Sequence, residues 1–460
     1  MHAVSDDSPG ARISHEYGLE GQLKAPLMGK VSTPYEGRRP KEIYKGDGTF
    51  FSSVITLANS AIGAGVLTFP YAFMNAGLAA AALICVALAC VMGFSLHVIA
   101  SCTAAAQRED PRVRSYQDVM KRATGGAGKM QMLVEVSLIL YLFGGCIAFL
   151  IIIGDMLEPL VALDRRIIIS AITVCVVAPL CQLTRLSALR FSSTLAVLAV
   201  TYMVCMIVAE EPGKAAAEPP PSTQLLKSGT GAFIAMPLMC LAFQCHIPCA
   251  LIYTELQAEL RSVKTMDRVI GAAYAICLAL YIPAGIFGYL SFGENTASDV
   301  LKVPAGASAV YAYPVSDVFA YVARICITVT VTFAFPIVHF PAKSALFDFL
   351  LRCGLVEEPI AHSKKQRIPR NFLRAESLIW VVLTLGVALS PVSLGVVNDL
   401  VAATCGVLVI FIFPGRMWSK FGPEGTTTNV QVALMYALGI VIGVAGTATT
   451  IASVLDGDSK

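Results

Sequence analysis

Two stretches of this sequence place helix-breaking residues where an apolar helix would otherwise run on. The first is NSAIGAGVLTFP, residues 59–70, in which Gly63 and Gly65 bracket Ala64 and Pro70 follows. The second is MPLMCLAFQCHIPC, residues 236–249, in which Pro237 and Pro248 flank Gln244, Cys245 and His246. Breaking a helix frees backbone groups, and in lipid those groups are tolerated only against protein or a cavity. Freed N–H groups at the positive start of a half-helix suit a carboxylate. Freed carbonyls suit a cation. The plainer alternative is that Gly63 and Gly65 merely let helices approach, as small residues do in membranes.

The elements that must hold these breaks are membrane spans. The chain has 460 residues, 56% of them hydrophobic and only 14% charged, against about 25% charged in a soluble domain. A bilayer core needs about 20 mostly apolar residues per helix. Candidate spans lie near 51–75, 78–104, 130–157, 166–183, 187–209, 229–256, 267–292, 316–340, 376–392, 395–415 and 428–453, eleven in all. With the N-terminus in the cytosol, cytosolic segments hold 27 Lys and Arg and the opposite side 6. That asymmetry supports both the orientation and the count, and it places the C-terminus outside or in a lumen. The breaks then fall on the first and sixth spans, five helices apart. Transporters built as two inverted five-helix repeats carry their broken helices in corresponding positions.

The remaining features exclude other classes. A net charge of +3 and the lack of basic stretches interleaved with aromatics argue against nucleic acid. Most of the 14 cysteines sit in apolar runs, with no CxxC, so they read as small packing residues. The six histidines (His2, His15, His97, His246, His339 and His362) are scattered without an H-E-x-x-H, and no phosphate-binding G-x-x-x-x-G-K-[ST] occurs. Neither an enzyme nor ATP-driven transport is expected, and no cofactor beyond a coupling ion. Residues 1–48 are polar and read as a disordered cytosolic tail rather than a signal peptide. The transmembrane domain is expected over 49–455, with repeats at about 51–209 and 229–415 and an extra helix at 428–453. The basic loop 343–374 reads as a solvated connector.

Six stretches carry a family resemblance: NSAIGAGVLTFPYAFMNAG (59–77), FGGCIAFLIIIGD (143–155), LAFQCHIPCALIYTEL (241–256), GYLSFGENTASDVL (288–301), FPIVHFPAKS (335–344) and the segment ending FIFP (411–414). The sequence resembles the sodium-coupled neutral amino acid transporters of the amino acid/auxin permease group, in particular the branch that includes the lysosomal glutamine transporter. The resemblance implies an all-α fold of the LeuT type, with eleven spans and helices one and six crossing at the substrate site.

Residue roles follow from that resemblance. Asn59 matches an asparagine implicated in sodium binding, and Thr332 the helix-eight threonine that shares the cation. Thr328, four residues before Thr332, lies on the same helix face. A packing hydrogen bond for Asn59, and back-bonding to the preceding turn for the threonines, are the alternatives. A substrate carboxylate is expected at the N–H groups of Gly63, Ala64 and Gly65, and its amine at carbonyls near Phe243 and Gln244. Tyr141 is a candidate carboxylate donor, or a packing residue. His246 is a candidate proton carrier or amide-orienting group, with a neutral structural role equally open. Arg324, about two turns inside helix eight, is expected to pair with an acid such as Asp155 or Asp317, or to meet an anionic substrate.

The outer loops 209–228 and 293–315 contain no cysteine, so the outer disulfide common in the family is absent. Plasma membrane and a lysosome- or vacuole-like membrane both remain open. The expected activity is secondary active, glutamine-like neutral amino acid transport by alternating access, coupled to sodium. Proton coupling or export by the same fold is the first alternative, and an amino-acid-sensing membrane receptor the second. The expected partners are the amino acid, sodium and the bilayer.

Overall fold

The segment that enters the membrane first is capped by its own side chains. The Thr49 hydroxyl accepts from the Ser52 N–H at 3.2 Å, and the Ser52 hydroxyl accepts from the Thr49 N–H at 3.0 Å. This reciprocal cap satisfies donors that have no carbonyl a turn earlier, and it starts α1 (Phe50–Ala61). The helix ends at Ala61, a tighter 3-10 turn covers Ala64–Thr68, and α2 (Phe69–Ala76) resumes with Pro70 at its start. Pro fits there because the first-turn N–H has no helical partner to lose. The two halves bend by 49°. Gly77, at φ +86°, ends α2. A Cβ there would come within 2.9 Å of the Leu225 carbonyl oxygen, so the residue must be Gly both for its φ and for the segment 225–227 packed on it.

In the computed structural model the described residues are 46–126, 128–161, 163–182, 192–215, 221–227, 231–302, 313–314, 316–356, 369–391 and 394–455. The expected tail, apart from its last residues, lies outside them, as does most of the loop after residue 356. All described elements are helices, and Gly48 makes a short backbone pairing with Leu256. After α2 come α3 (Leu78–Glu109), the short α4 (Tyr116–Thr124) and α5 (Lys129–Leu157). Next are α6 (Arg165–Ile172) and α7 (Ala178–Cys181), joined by a π turn, and α8 (Ser192–Ala215). The second interrupted span is α9 (Gly231–Ala242) and α10 (His246–Glu255). Then follow α11 (Val263–Phe292), α12 (Val318–Arg352), α13 (Arg370–Ala388), α14 (Leu394–Val401), α15 (Phe413–Phe421) and α16 (Thr426–Leu455), with π turns between α14 and α15.

Among the described residues nine helical runs are long and apolar enough to cross a bilayer, and the bent first pair makes a tenth. They coincide with ten of the expected spans. The segment expected to cross at 166–183 is present as α6–α7, shorter than the others. One boundary differs clearly. Helix α12 was expected to end near 340, with Lys343 in a solvated loop, but it runs on to Arg352 and buries Lys343. Pro336 and Pro341 remove two N–H donors without stopping it, because Ala342, Ala345 and Phe347 beyond them are buried and hold the turn in place.

Burial separates core from periphery. In α9–α10, 67% of the most apolar window is buried inside the protein, against 22% in α16. Exposed Val430, Leu434, Ile440, Val441 and Val444 on α16, and Leu378, Ile379, Val382 and Leu383 on α13, form the apolar exterior that lipid covers. The broken spans lie inside: α11 packs on α1, α2 and α3, α9 packs on α2 and the 3-10 turn, and α5 and α12 form a separate close pair.

Candidate functional site

The two breaks meet. A Cβ built on Gly65 would lie 2.7 Å from the Ala242 Cβ and 2.8 Å from its Cα, whereas one built on Gly63 meets nothing within 4 Å. Gly65 is thus where the first span presses on the sixth, and Gly63 faces open space. Close packing is thus seen at Gly65, and none at Gly63. The N–H groups of Ala64 and Gly65 begin a new helical turn, where no preceding turn supplies carbonyls.

One side chain closes both first half-helices. The Tyr281 hydroxyl of α11 lies 2.8 Å from the Ala61 carbonyl oxygen and 2.8 Å from that of Ala242. These are the last residues of α1 and α9, whose carbonyls lose their helical partners at the breaks. One turn-pair earlier on α11, the Tyr274 hydroxyl donates to the Phe243 carbonyl at 2.9 Å. Residues seven apart share a helix face, so a single stripe of α11 anchors both interruptions. The Tyr281 ring stacks on Phe69 at 4.4 Å and meets Phe243 edge-on at 5.1 Å. All of these aromatic side chains are buried. Neither tyrosine was singled out from the sequence. The only available signal was their seven-residue spacing, and that does not reveal which helix they face.

Proline chemistry frees two further acceptors. Pro248, on the first turn of α10, has no N–H, so the Gln244 carbonyl four residues earlier has no helical donor. Pro336 does the same to the Thr332 carbonyl inside α12. The Phe243 carbonyl, expected to be free for an amine, is already engaged by Tyr274, which leaves Gln244 as the freer acceptor of the two. The Gln244 side-chain Nε2 is buried without a hydrogen-bond partner. His246 opens α10 rather than lying within the break, is fully buried, and has neither ring nitrogen bonded.

The expected cation residues lie on α1 and α12, which both pack on α8. Asn59 is half-buried. The Thr328 hydroxyl donates to the Arg324 carbonyl at 2.8 Å, and the Thr332 hydroxyl to the Thr328 carbonyl at 2.7 Å. A hydroxyl that spends its proton this way keeps its oxygen lone pairs for an incoming cation. Tyr141 is on α5, which packs against the 3-10 turn of the first break.

Arg324 departs from expectation. It is fully buried, but it donates to the carbonyls of Leu301 (3.2 Å) and Tyr313 (2.7 Å) rather than to an acid. Asp155 is held instead by Arg165 at 2.8 Å, with Lys302 at 3.5 Å, and Asp317 caps the start of α12. The reason is geometric. The chain at 299–302 folds over the N-terminal end of α12, so its carbonyls reach the guanidinium first. Beside it, Asp299 is fully buried, and burial together with the nearby Asp155 charge pushes its carboxyl up to about 7.

Comparison with known proteins places this arrangement. The model of the family described as transmembrane amino acid transporter protein matches residues 46–455. The chain is 30% identical over 436 residues to the human protein named sodium-coupled neutral amino acid transporter 7, covering 90% of this chain and 88% of the relative. The zebrafish (Danio rerio) protein of that name is 28% identical, with 91% and 88% covered. Human solute carrier family 38 member 8 is 30% identical, with 79% and 83% covered. Among solved structures, a mutant of the Eremococcus coleocola manganese transporter superposes with a TM-score of 0.55 at 13% identity, covering 90% of each chain. That likeness speaks to the fold alone, which is of the LeuT type.

Proposed function

Because the chain belongs to the transmembrane amino acid transporter family, we propose that it moves small neutral amino acids of the glutamine type by sodium-coupled alternating access. Amino acid transport across a membrane, rather than enzymatic chemistry, is the activity of the family and of the relatives it matches. The observation that carries the finer reading is the Tyr281 hydroxyl lying 2.8 Å from the carbonyls that end both first half-helices. It makes the two breaks one unit, so a solute held between them rides with both.

The Gly63 N–H, expected to meet the carboxylate, already donates to the Ala61 carbonyl at 2.7 Å, so in this reading the substrate carboxylate sits at the N–H groups of Ala64 and Gly65, and the open space beside Gly63 receives it. The amine meets the Gln244 carbonyl, with Phe243 and Tyr141 lining the cavity. The unpartnered Gln244 amide and His246 suit a side-chain carboxamide. Sodium lies between Asn59 on α1 and the oxygens of Thr328 and Thr332 on α12, hard oxygen ligands of the kind such a cation takes. No residue is required as a catalyst and no cofactor takes part. The lysine and arginine asymmetry supports a cytosolic N-terminus and a C-terminus outside or in a lumen, with a plasma or lysosome-like membrane as host.

The test is labelled glutamine uptake by purified protein in proteoliposomes, with sodium or an impermeant cation outside. Sodium-driven uptake is expected. Asn59→Ala and Thr332→Ala should each raise the half-saturating sodium concentration about tenfold, or about 1.4 kcal/mol. Unchanged sodium activation in both variants would remove the cation assignment.

A further inference from the structure

A second set of polar side chains is buried away from the breaks. On α12 the His339 ring is fully buried, and its Nε2 lies 2.9 and 3.2 Å from the two Glu376 carboxylate oxygens of α13. The Glu376 side chain is only 2% exposed. One turn beyond His339, the Lys343 ammonium donates to the Cys181 carbonyl at the end of α7, at 2.7 Å. Ser377 touches both partners, with its hydroxyl 3.3 Å from the Cys181 carbonyl and 3.4 Å from Glu376. The Trp380 ring stacks on His339 at 5.3 Å. Three helices therefore meet on this cluster: α7, α12 and α13.

We propose that the His339–Glu376 pair is a proton-binding site that couples a proton gradient to transport, a role that rests on the transport reading above. The imidazole Nε2–H donates to the carboxylate, so the proton acceptor left on the ring is Nδ1. That atom is buried and has no hydrogen-bond partner. A proton from the aqueous phase binds Nδ1, the pair becomes imidazolium–carboxylate, and release reverses the step with no other bond changed.

Burial of the ring and Lys343, four residues along the same helix, oppose the added proton, and Glu376 favours it. The other titratable groups facing the pair are thiols: Cys181 from α7 and Cys146 from α5. On α8, which also packs on α12, the charged residues Glu210, Glu211 and Lys214 lie at its far end. With His339 neutral, the carboxylate and ammonium cancel; with it protonated, the cluster carries one extra charge. Burial makes that difference felt by the helices that line it. His339 follows Thr332 by seven residues on α12, so the pair and the proposed cation ligand share a helix face. His246, by contrast, has no bonded partner on either ring nitrogen and no carboxylate in hydrogen-bond contact. It lacks the counter-charge that would hold a proton there.

Two measurements on the full chain decide this, using Glu376→Gln and His339→Gln. The first is potentiometric titration of the detergent-purified protein between pH 5 and 8, with protons as the probe. Wild type should take up more protons than either variant, up to about one, with the excess growing towards the acid end of that range, because burial opposes charging the ring. The second is labelled glutamine uptake into proteoliposomes with an imposed pH gradient, beside counterflow exchange at equal pH. Wild type should be accelerated by the gradient roughly tenfold, about 1.4 kcal/mol. The variants should lose that acceleration and keep exchange within about twofold, since the broken spans are untouched. Equal proton counts in wild type and both variants overturn the proposal. So does gradient acceleration that survives in them, or a wild type that takes up glutamine with no response to the gradient. A wild type that moves no glutamine under any condition strikes the transport reading, while the titration still reads the site. If Glu376→Gln fails to fold, His339→Gln carries the test, because its amide can still donate to Glu376.

Discussion

The sixth span and α12 contain the same helix-breaking residue and respond to it differently. Pro237 and Pro248 lie in the sixth span, and Pro336 and Pro341 in α12. Yet α12 stays helical from Val318 to Arg352, while the sixth span opens between Ala242 and His246, at neither proline. The difference lies in the neighbours. Around the opening, Tyr274 and Tyr281 of α11 supply hydroxyl donors to the Phe243 and Ala242 carbonyls. Along α12 the threonine hydroxyls donate to carbonyls of their own helix, and polar groups at its two ends close on loops and on α13. A proline frees one carbonyl wherever it falls. A helix opens in the membrane only where another element takes up the groups that opening exposes.

The sharpest way to break this contrast is through the glycines of the first span. Gly65→Val would place its Cβ 2.7 and 2.8 Å from Ala242 and push the two spans apart at their contact. Uptake should fall about a hundredfold or more, since a displacement of an ångström at a binding geometry can cost that much. Gly63→Ala meets nothing within 4 Å, so expression and melting temperature should hold while the substrate half-saturation rises about tenfold. Uptake kinetics and thermal unfolding on both variants check this. An inert Gly63→Ala would mean the open space is not where the solute sits.

Next in size is Tyr281→Phe. It keeps the ring stacked on Phe69 at 4.4 Å and removes only the hydroxyl shared by the Ala61 and Ala242 carbonyls. The Ala61 carbonyl keeps the Gly63 N–H at 2.7 Å, but the buried Ala242 carbonyl loses its hydroxyl donor at a cost of about 1–3 kcal/mol, so turnover should drop about tenfold, with a loss of a few degrees in melting temperature. Pro237→Ala is the control. It restores a helical N–H inside α9 without touching the clamp, and should change uptake less than about twofold. If Pro237→Ala did more damage than Tyr281→Phe, proline rather than the neighbour would be making the break.

These contrasts also mark what the sequence could reveal. The spans were legible because lipid demands about 20 apolar residues in a row, and the breaks because Gly63, Gly65 and the flanking prolines interrupt such runs. What decides the site was hidden in partners distant along the chain. Tyr281 reaches Ala61 across 220 positions, and nothing local to α11 announces it. Arg324 was legible as a costly charge, but its carbonyl partners at Leu301 and Tyr313 depend on how the chain before α12 folds over it. Lys343 begins a basic stretch, 343–374, that in sequence looks like a solvated connector. Only the buried apolar residues beyond it keep the helix going.

The smallest expected effect concerns the N-terminal end of α12, where the chain covers Arg324. Asp299 is fully buried there, and burial, then the Asp155 charge, holds its carboxyl at about 7, while the Leu301 N–H, Lys302 and Arg324 pull it back. Between about pH 4 and 7 the folded protein keeps a proton on this carboxyl that the unfolded chain has released. The folded state binds more protons in that window, so stability falls as pH rises through it and is recovered on acidification. Lowering the pH from 7.5 to 5.5 should therefore raise the melting temperature of wild type by roughly 2 °C more than that of Asp299→Asn, which has no proton to gain. Thermal unfolding of both proteins in detergent at the two pH values reads the difference. Equal pH responses would mean that the N-terminal end of α12 is closed by its carbonyl contacts alone.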